Sequence, residues 1–312
     1  MKCFFAACIV LYLHFPLMCV LCENRWPHSP PPNVSGVQVL KAVPLETLVP
    51  FIDWNGLFFA CAIPGRYPQI LEGDTPKAEA ARKLFTDAES FLNRIVSDKL
   101  IEARAVFGIF PVKRNGEEIV LFAETSQVKI EFLRQQQAEN NGTLKSLADY
   151  LSPHEIDFMG LFALSVGFGV KEAADLFRRS GDDYSAMLLH FLAGRLTEAF
   201  SEKLHRDVMF SYWGYVLPFH KPFGIRPAPG YPACRDHTEK LPIWEALQVK
   251  ERIGLELSDS FMMIPENAIC GYYLAHPKSV YFSVGPIGED QLVDYANRKG
   301  WSLETARKWV GC

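Results

Sequence analysis

The sequence has no excess of charge of either sign. Its 312 residues carry 32 Lys and Arg against 36 Asp and Glu, a net of −4. That balance gives no electrostatic footprint for nucleic acid, so no nucleic-acid partner is expected. A disulfide framework is missing too. Four of the eight cysteines (Cys3, Cys8, Cys19, Cys22) crowd the first 22 residues, and Cys61, Cys234, Cys270 and Cys312 are scattered. That usage suits a reducing compartment, and Cys19-x-x-Cys22 lacks the second ligand pair a zinc site needs. There is no P-loop, no Gly-x-Gly-x-x-Gly after a strand, no Gly-x-Ser-x-Gly elbow and no His-Glu-x-x-His, which removes the common nucleotide, hydrolase and zincin signatures. The eight histidines do not fall at metal-ligand spacing, and His190 and His205 read as structural or surface helix residues. What is present is apolar: 49% hydrophobic residues, with Phe alone at 23. A chain of this length can bury a large core without staples.

One apolar run stands apart. Residues 3–22 follow Lys2 and are almost uncharged, the pattern of a signal peptide or anchor. His14 and Pro16 interrupt it, and no small-x-small cleavage site follows. Two readings stand, a signal-like leader over residues 1–25 or translated sequence upstream of a folded body over 26–312. Residues 23–36 are Pro-rich and polar and read as a linker. The acceptor patterns at Asn33 and Asn141 arise easily by chance.

The body mixes strands and helices. Thr75-Pro76 caps a helix whose apolar positions are Ala81, Leu84, Ala88, Phe91, Leu92 and Ile95. Ala103–Val112 and Glu118–Phe122 read as a hairpin, with Arg114-Asn115-Gly116 as its turn. Residues 157–170 read as a buried strand and its turn. Asp182-Asp183 opens a long helix with a stripe of Leu189, Leu196, Phe200 and Leu204, and Glu198 and Glu202 on its more polar face. Beyond Tyr215 comes an irregular Pro- and Gly-rich stretch. It is followed by a short helix near 243–250, strand-like runs at 261–264, 268–275 and 280–284, and two closing helices, over 291–299 and 303–310. No regular βαβ alternation is visible, so the expected class is α+β.

The segment Gly224-Ile225-Arg226-Pro227-Ala228-Pro229-Gly230-Tyr231-Pro232-Ala233-Cys234 is the densest candidate for chemistry. Its prolines hold φ nearly fixed, Gly230 permits a close approach, and Arg226 is a fork donor suited to a carboxylate or phosphate. A plain surface loop is the competing reading.

This strip and the following Asp236-His237-Thr238-Glu239-Lys240 closely resemble the C-terminal activation domain of cobalamin-dependent methionine synthase. The resemblance runs from about residue 26 to the C-terminus. It is carried by Phe51-Ile52-Asp53-Trp54, Gly65-Arg66-Tyr67-Pro68, Leu196-Thr197-Glu198-Ala199-Phe200, Tyr212-Trp213-Gly214-Tyr215, Gly271-Tyr272-Tyr273, His276-Pro277 and Tyr295-Ala296-x-Arg298-Lys299-Gly300. It implies a C-shaped single α+β domain with a twisted antiparallel sheet flanked by helices. It also implies binding of S-adenosylmethionine and reductive methylation of cob(II)alamin, with an electron from flavodoxin or an equivalent reductase and a cobalamin-binding methionine synthase chain or domain as partner. By the same resemblance Asp53 would pair with the ammonium of S-adenosylmethionine and Arg226 with its carboxylate. Tyr281-Phe282 would wall the adenosyl group, Ala228 and Tyr231 would line the strip, and Glu198 matches an acidic helix residue. Read alone, Asp53 could cap a helix over 55–62, Arg226 could pair with Asp236, Tyr281-Phe282 could be strand core, and Glu198 could be a solvated surface residue.

Departures from the family pattern are Cys61 and Ile264 where Trp is usual, Arg235 where Pro is usual, and a short segment 218–223 without its acidic residue. The Asp-x-His-x-x-Gly cobalamin motif is absent, and no homocysteine or folate barrel fits in this length. The chain is therefore expected to make no methionine alone and to act in trans on a corrinoid protein; the alternative is a docking module or a remnant of a split enzyme. Cytosolic reductant and methyl donor make the cytoplasm the expected location, against a membrane tether through residues 3–22.

Overall fold

A computed structural model describes residues 31–137, 142–215 and 224–311. The apolar run at 3–22, linker residues 23–30, Asn141 and the segment 218–223 lie outside the described residues. The elements are β1 (Gly36–Val43), α1 (Asn55–Ala60), α2 (Pro76–Ser97), β2 (Glu102–Asn115), β3 (Glu118–Phe122), β4 (Gln127–Glu131), β5 (Asp157–Phe168), α3 (Val170–Arg179) and α4 (Asp183–Asp207). Then follow α5 (Lys240–Leu247), α6 (Val249–Ile253), β6 (Glu256–Leu257), β7 (Met263–Ile264), β8 (Ala268–Tyr273), α7 (Glu289–Lys299) and α8 (Leu303–Val310).

The main sheet runs β4-β3-β2-β5-β8 and is antiparallel throughout. Strand β2 is long enough to serve two partners along one edge: β1 pairs with residues 103–109 and β3 with residues 112–115. Both long central strands are apolar on both faces, because helices cover both. Val106, Phe110, Val112, Met159 and Leu161 face one core with Ile243, Leu247, Leu292 and Tyr295. Their alternating neighbours Ala105, Phe107, Ile109, Phe162 and Leu164 face a second core with Leu92, Leu189, Leu192, Leu196 and Phe200. A sheet covered on both faces explains why 103–112 and 157–168 read as near-continuous apolar runs rather than as alternation. The result is the α+β class with a flanked antiparallel sheet.

The helix signals act as their chemistry predicts. Thr75 accepts the Ala78 N–H with Pro76 in the first turn. Asp182 accepts the Ser185 N–H at 2.9 Å to start α4. Ser302 caps α8 through Thr305. The hairpin turn falls one residue later than expected: Asn115 pairs with Glu118, which leaves Gly116 and Glu117 as the turn with Gly116 at φ +64°. The helix near 243–250 is two helices, broken at Gln248, which adopts φ +48°.

The Pro-rich strip lies along the outer edge of β8. The Ile225 N–H and C=O pair with Leu274, and the Tyr272 N–H donates to the Pro227 carbonyl at 2.9 Å. The strip then leaves the edge, with prolines at 227, 229 and 232 that bring no N–H of their own, a device that blunts a sheet edge. Close approach depends on Gly271 of β8, where a Cβ would stand 2.5 Å from the Pro227 carbonyl oxygen and 3.0 Å from the Phe162 ring. Both are fixed groups, so Gly271→Ala must push the strip outward. The expected loss is about 1–3 kcal/mol of stability, the usual range for overpacking. Urea unfolding checks this, and an unchanged midpoint would show that the strip is not held by this contact.

Candidate functional site

Where the strip leaves the sheet, a cleft of about 330 Å³ opens between it, helix α4 and the segment 281–282. Its lining includes Phe162, Glu198, Ser201, Arg226, Ala228, Tyr231, Tyr281 and Phe282. Five of the six residues singled out from the sequence as ligand contacts are thus brought together with Glu198 in one cleft. Asp53 is not among the lining residues.

Arg226 sits at the head of the strip. Its backbone N–H donates to the Tyr281 phenol oxygen at 2.9 Å, which ties the strip to the opposite wall. Its Nη1 donates to Glu202 Oε2 at 3.0 Å and lies 3.0 Å from His205 Nδ1. The pairing with Asp236 that the sequence allows does not form: Asp236 accepts bonds from Thr238 and from the Tyr295 hydroxyl. Glu202 also accepts from Arg206 Nε at 2.8 Å. Burial pushes the Glu202 carboxyl up, but the bonds and charges of Arg206 and Arg226 outweigh it and hold the group below its ordinary range.

Tyr281 and Phe282 alternate as the sequence suggests: Tyr281 is 61% exposed and Phe282 only 8%. The run 280–284 is nevertheless not a sheet strand. It is extended backbone held by single bonds, Val284 N–H to the Pro232 carbonyl and Val280 N–H to the Tyr150 hydroxyl. Leaving the sheet frees the Tyr281 ring to stand in the cleft mouth. Tyr231 is also largely exposed. It occupies a tight turn in which the Tyr231 N–H donates to the Ala228 carbonyl and the Gly230 N–H to that of Cys234. Gly230 adopts φ +93°, and a Cβ there would stand 2.2 Å from the His237 ring, so this turn requires glycine.

Asp53 is exposed at the start of α1. Its Oδ1 accepts from the Asn55 N–H at 3.0 Å and from Asn55 Nδ2 at 2.7 Å, which closes a turn at the helix entrance; the N-cap position itself is Trp54, so Asp53 does not cap the helix. A chain of contacts runs from Phe51, two residues before it, to Arg226. The Phe51 ring lies 5.3 Å from the Arg206 guanidinium, and Arg206 and Arg226 share Glu202.

Behind the strip lies a buried ionic cluster. Glu239 accepts from Lys299 Nζ at 2.6 Å and from the Glu131 N–H at 3.1 Å. Burial pushes its carboxyl up to about 7 against the pull of Lys299. Lys299 also stands 3.9 Å from Asp236. These contacts fasten the chain just after the strip to helix α7.

Of the family departures, Cys61 is half-buried and Ile264 exposed. Arg235 donates to the Gly285 and Gly311 carbonyls, joining the loop after Phe282 to the end of α8. Among the described residues, no group of three or more His, Cys, Asp or Glu could hold a metal ion, and no helix is long and apolar enough to cross a membrane.

Two residues of the site escape the sequence reading. Glu202 and His205 pass as polar-face and surface helix positions, yet they bond Arg226 from α4. The available signal is spacing: Glu198, Glu202 and His205 recur at four and three residues and so share one helix face.

The sheet, its flanking helices and the cleft at its edge define an α+β domain with an aromatic-walled recess whose charged lining residues are Arg226 and Glu198. The family model for vitamin B12 dependent methionine synthase, activation domain, matches residues 44–300, and the chain belongs to that family. Among solved structures it is similar to the MetH reactivation domain, in a crystal structure bound to AdoHcy. The two are 37% identical, the match covers 92% of this chain and 93% of that one, and the TM-score is 0.86.

Proposed function

We propose that the cleft binds S-adenosylmethionine and that the chain supports reductive methylation of cob(II)alamin carried by a corrinoid partner, acting in trans within cobalamin-dependent methionine synthesis. The observation that carries this reading is the convergence of Arg226, Ala228, Tyr231, Tyr281, Phe282 and Glu198 on one cleft. Its volume lies within the roughly 300–1,000 Å³ typical of small-molecule sites. The AdoHcy bound to the similar MetH domain supports it.

In this reading Arg226 takes the carboxylate of the amino-acid moiety through Nε and Nη2, the guanidinium donors not engaged by Glu202 and His205. Asp53 takes the ammonium through the carboxylate oxygen that Asn55 does not use. Tyr281 and Phe282 wall the adenosyl group, and Ala228 and Tyr231 supply the floor of the strip. Corrinoid chemistry supplies the nucleophile. The domain's residues therefore need no general acid or base, and their work is to hold the methyl donor in one orientation. Reduced flavodoxin or an equivalent reductase is the proposed electron donor, and the cytoplasm the proposed location.

The direct test is titration calorimetry of the body, residues 26–312, with S-adenosylmethionine. It is followed by methyl transfer in a mixture containing a cognate corrinoid domain and reductant. Saturable binding and methylation that needs all components are expected; no heat of binding would sink the ligand assignment. Asp53→Asn separates the charge of Asp53 from its local bonds, because the amide can still accept from Asn55. The expected loss is about tenfold in S-adenosylmethionine affinity, the scale of one charge-assisted bond, with an unchanged unfolding midpoint. Unchanged affinity would remove Asp53 from the site.

A further inference from the structure

We infer that Glu202 is the positioning residue for Arg226, fixing which edge of the guanidinium is presented to an amino-acid carboxylate; this rests on the proposed ligand. Arg226 Nη1 points back at helix α4, where Glu202 Oε2 and His205 Nδ1 each lie 3.0 Å from it. A guanidinium only donates, so His205 Nδ1 accepts, which assigns the neutral ring with its proton on Nε2. Both Nη1 hydrogens are thereby used. Nε and Nη2 make no bond among the described residues, and they form the side of the fork that matches a carboxylate with two parallel bonds.

The backing is held from several directions. Glu202 Oε1 is taken by Arg206 Nε at 2.8 Å, so the carboxylate cannot rotate without breaking a second bond. The Arg206 guanidinium in turn lies over Phe51. The His205 ring stacks on Tyr273 at 5.4 Å and 16°, and Tyr273 stacks on the cleft residue Phe162 at 4.6 Å and 20°. Glu202 is the anion that Arg206 and Arg226 share, standing between two guanidinium groups that would otherwise repel. Spacing reinforces the division of labour on α4: Glu198, one turn earlier, is exposed in the cleft lining, whereas Glu202 lies behind Arg226.

Glu202→Gln is the discriminating variant. It keeps the shape, but only one of the two positions that face Arg206 and Arg226 remains an oxygen, and at the other the amide N–H groups face a donor. Titration calorimetry of the full chain would compare S-adenosylhomocysteine with methylthioadenosine, which lacks the amino-acid carboxylate and ammonium. The variant should bind S-adenosylhomocysteine about tenfold more weakly, the effect of one charge-assisted bond, and methylthioadenosine unchanged. Equal losses for both ligands would reduce Glu202 to a structural part, and no loss for either would overturn the inference. If the unmodified protein binds neither ligand, the ligand assignment itself has failed, and a ligand-free measurement still decides this point. The Arg226 Nε–H resonance, identified by its disappearance in Arg226→Lys, should shift in Glu202→Gln; an unmoved resonance means that Glu202 does not set the guanidinium.

Discussion

Replacing Arg226 by Ala should weaken S-adenosylmethionine binding about 100-fold while leaving methylthioadenosine binding nearly intact. The size follows from losing two charge-assisted bonds to a carboxylate, at about 1.5 kcal/mol or more each, with 1.4 kcal/mol equal to a factor of ten. The selectivity follows from geometry. The guanidinium stands on one side of the cleft, and its backbone N–H, which holds Tyr281 at 2.9 Å, survives the substitution. The aromatic wall should therefore persist. Arg226→Lys should recover little, because an ammonium cannot reproduce the fork and would lose the paired contacts to Glu202 and His205. Calorimetry with both ligands decides the matter. A parallel loss of both would mean that Arg226 maintains the shape of the cleft rather than reading the carboxylate.

Arg226 also shows what a sequence can and cannot disclose. Three prolines close behind one arginine mark a stiff strip, and stiffness is a local property. Where that strip lies is not local, because it depends on the missing side chain at Gly271 and on pairing with Leu274, far along the chain. The elements with both faces buried or with strong caps, such as β2, β5, α2 and α4, are legible because their signals lie within one window. Strand β1 is not. It is a half-buried edge strand, and its alternation is too weak to separate from the linker before it. Strand β4 is only five residues long and is defined by its partner β3. Helix α3 disappears into the apolar run of β5 because Gly169, at φ +87°, turns the chain without any polar cap.

The run 280–284 fails in the opposite sense. Its alternation is genuine, with Tyr281 out and Phe282 in, but alternation reports a two-sided environment and not a hydrogen-bonded neighbour. The family resemblance points to the same two residues without needing them in a strand. Glu202 and His205 were hidden for a different reason. A polar residue on a helix face looks the same from sequence whether it meets water or an arginine supplied by a strip 24 residues later.

Lys299→Met should be the most destabilising of these changes, costing about 3–5 kcal/mol at pH 8.5, the usual result of removing one partner from a buried ion pair. Lys299 Nζ lies 2.6 Å from Glu239 and 3.9 Å from Asp236, and both carboxylates are almost fully buried. The pH dependence distinguishes this from a simple packing loss. Burial already pushes Glu239 up to about 7 from an ordinary 4.5. Between those values the folded protein holds a proton that the unfolded chain has released. The stabilisation from that proton is complete below about pH 4.5 and is lost as pH rises through about 7. Without the Lys299 charge, the folded Glu239 carboxyl must rise further, so the window extends upward and the variant should recover much of its deficit on acidification from pH 8.5 to 6. Urea unfolding at the two pH values reads this directly, and a deficit of the same size at both would contradict it. Because Asp236 and Glu239 follow the strip within five residues of Cys234, the variant should also bind S-adenosylmethionine more weakly at pH 8.5 than at pH 6 relative to the unmodified protein, which links the buried charges to the cleft they support.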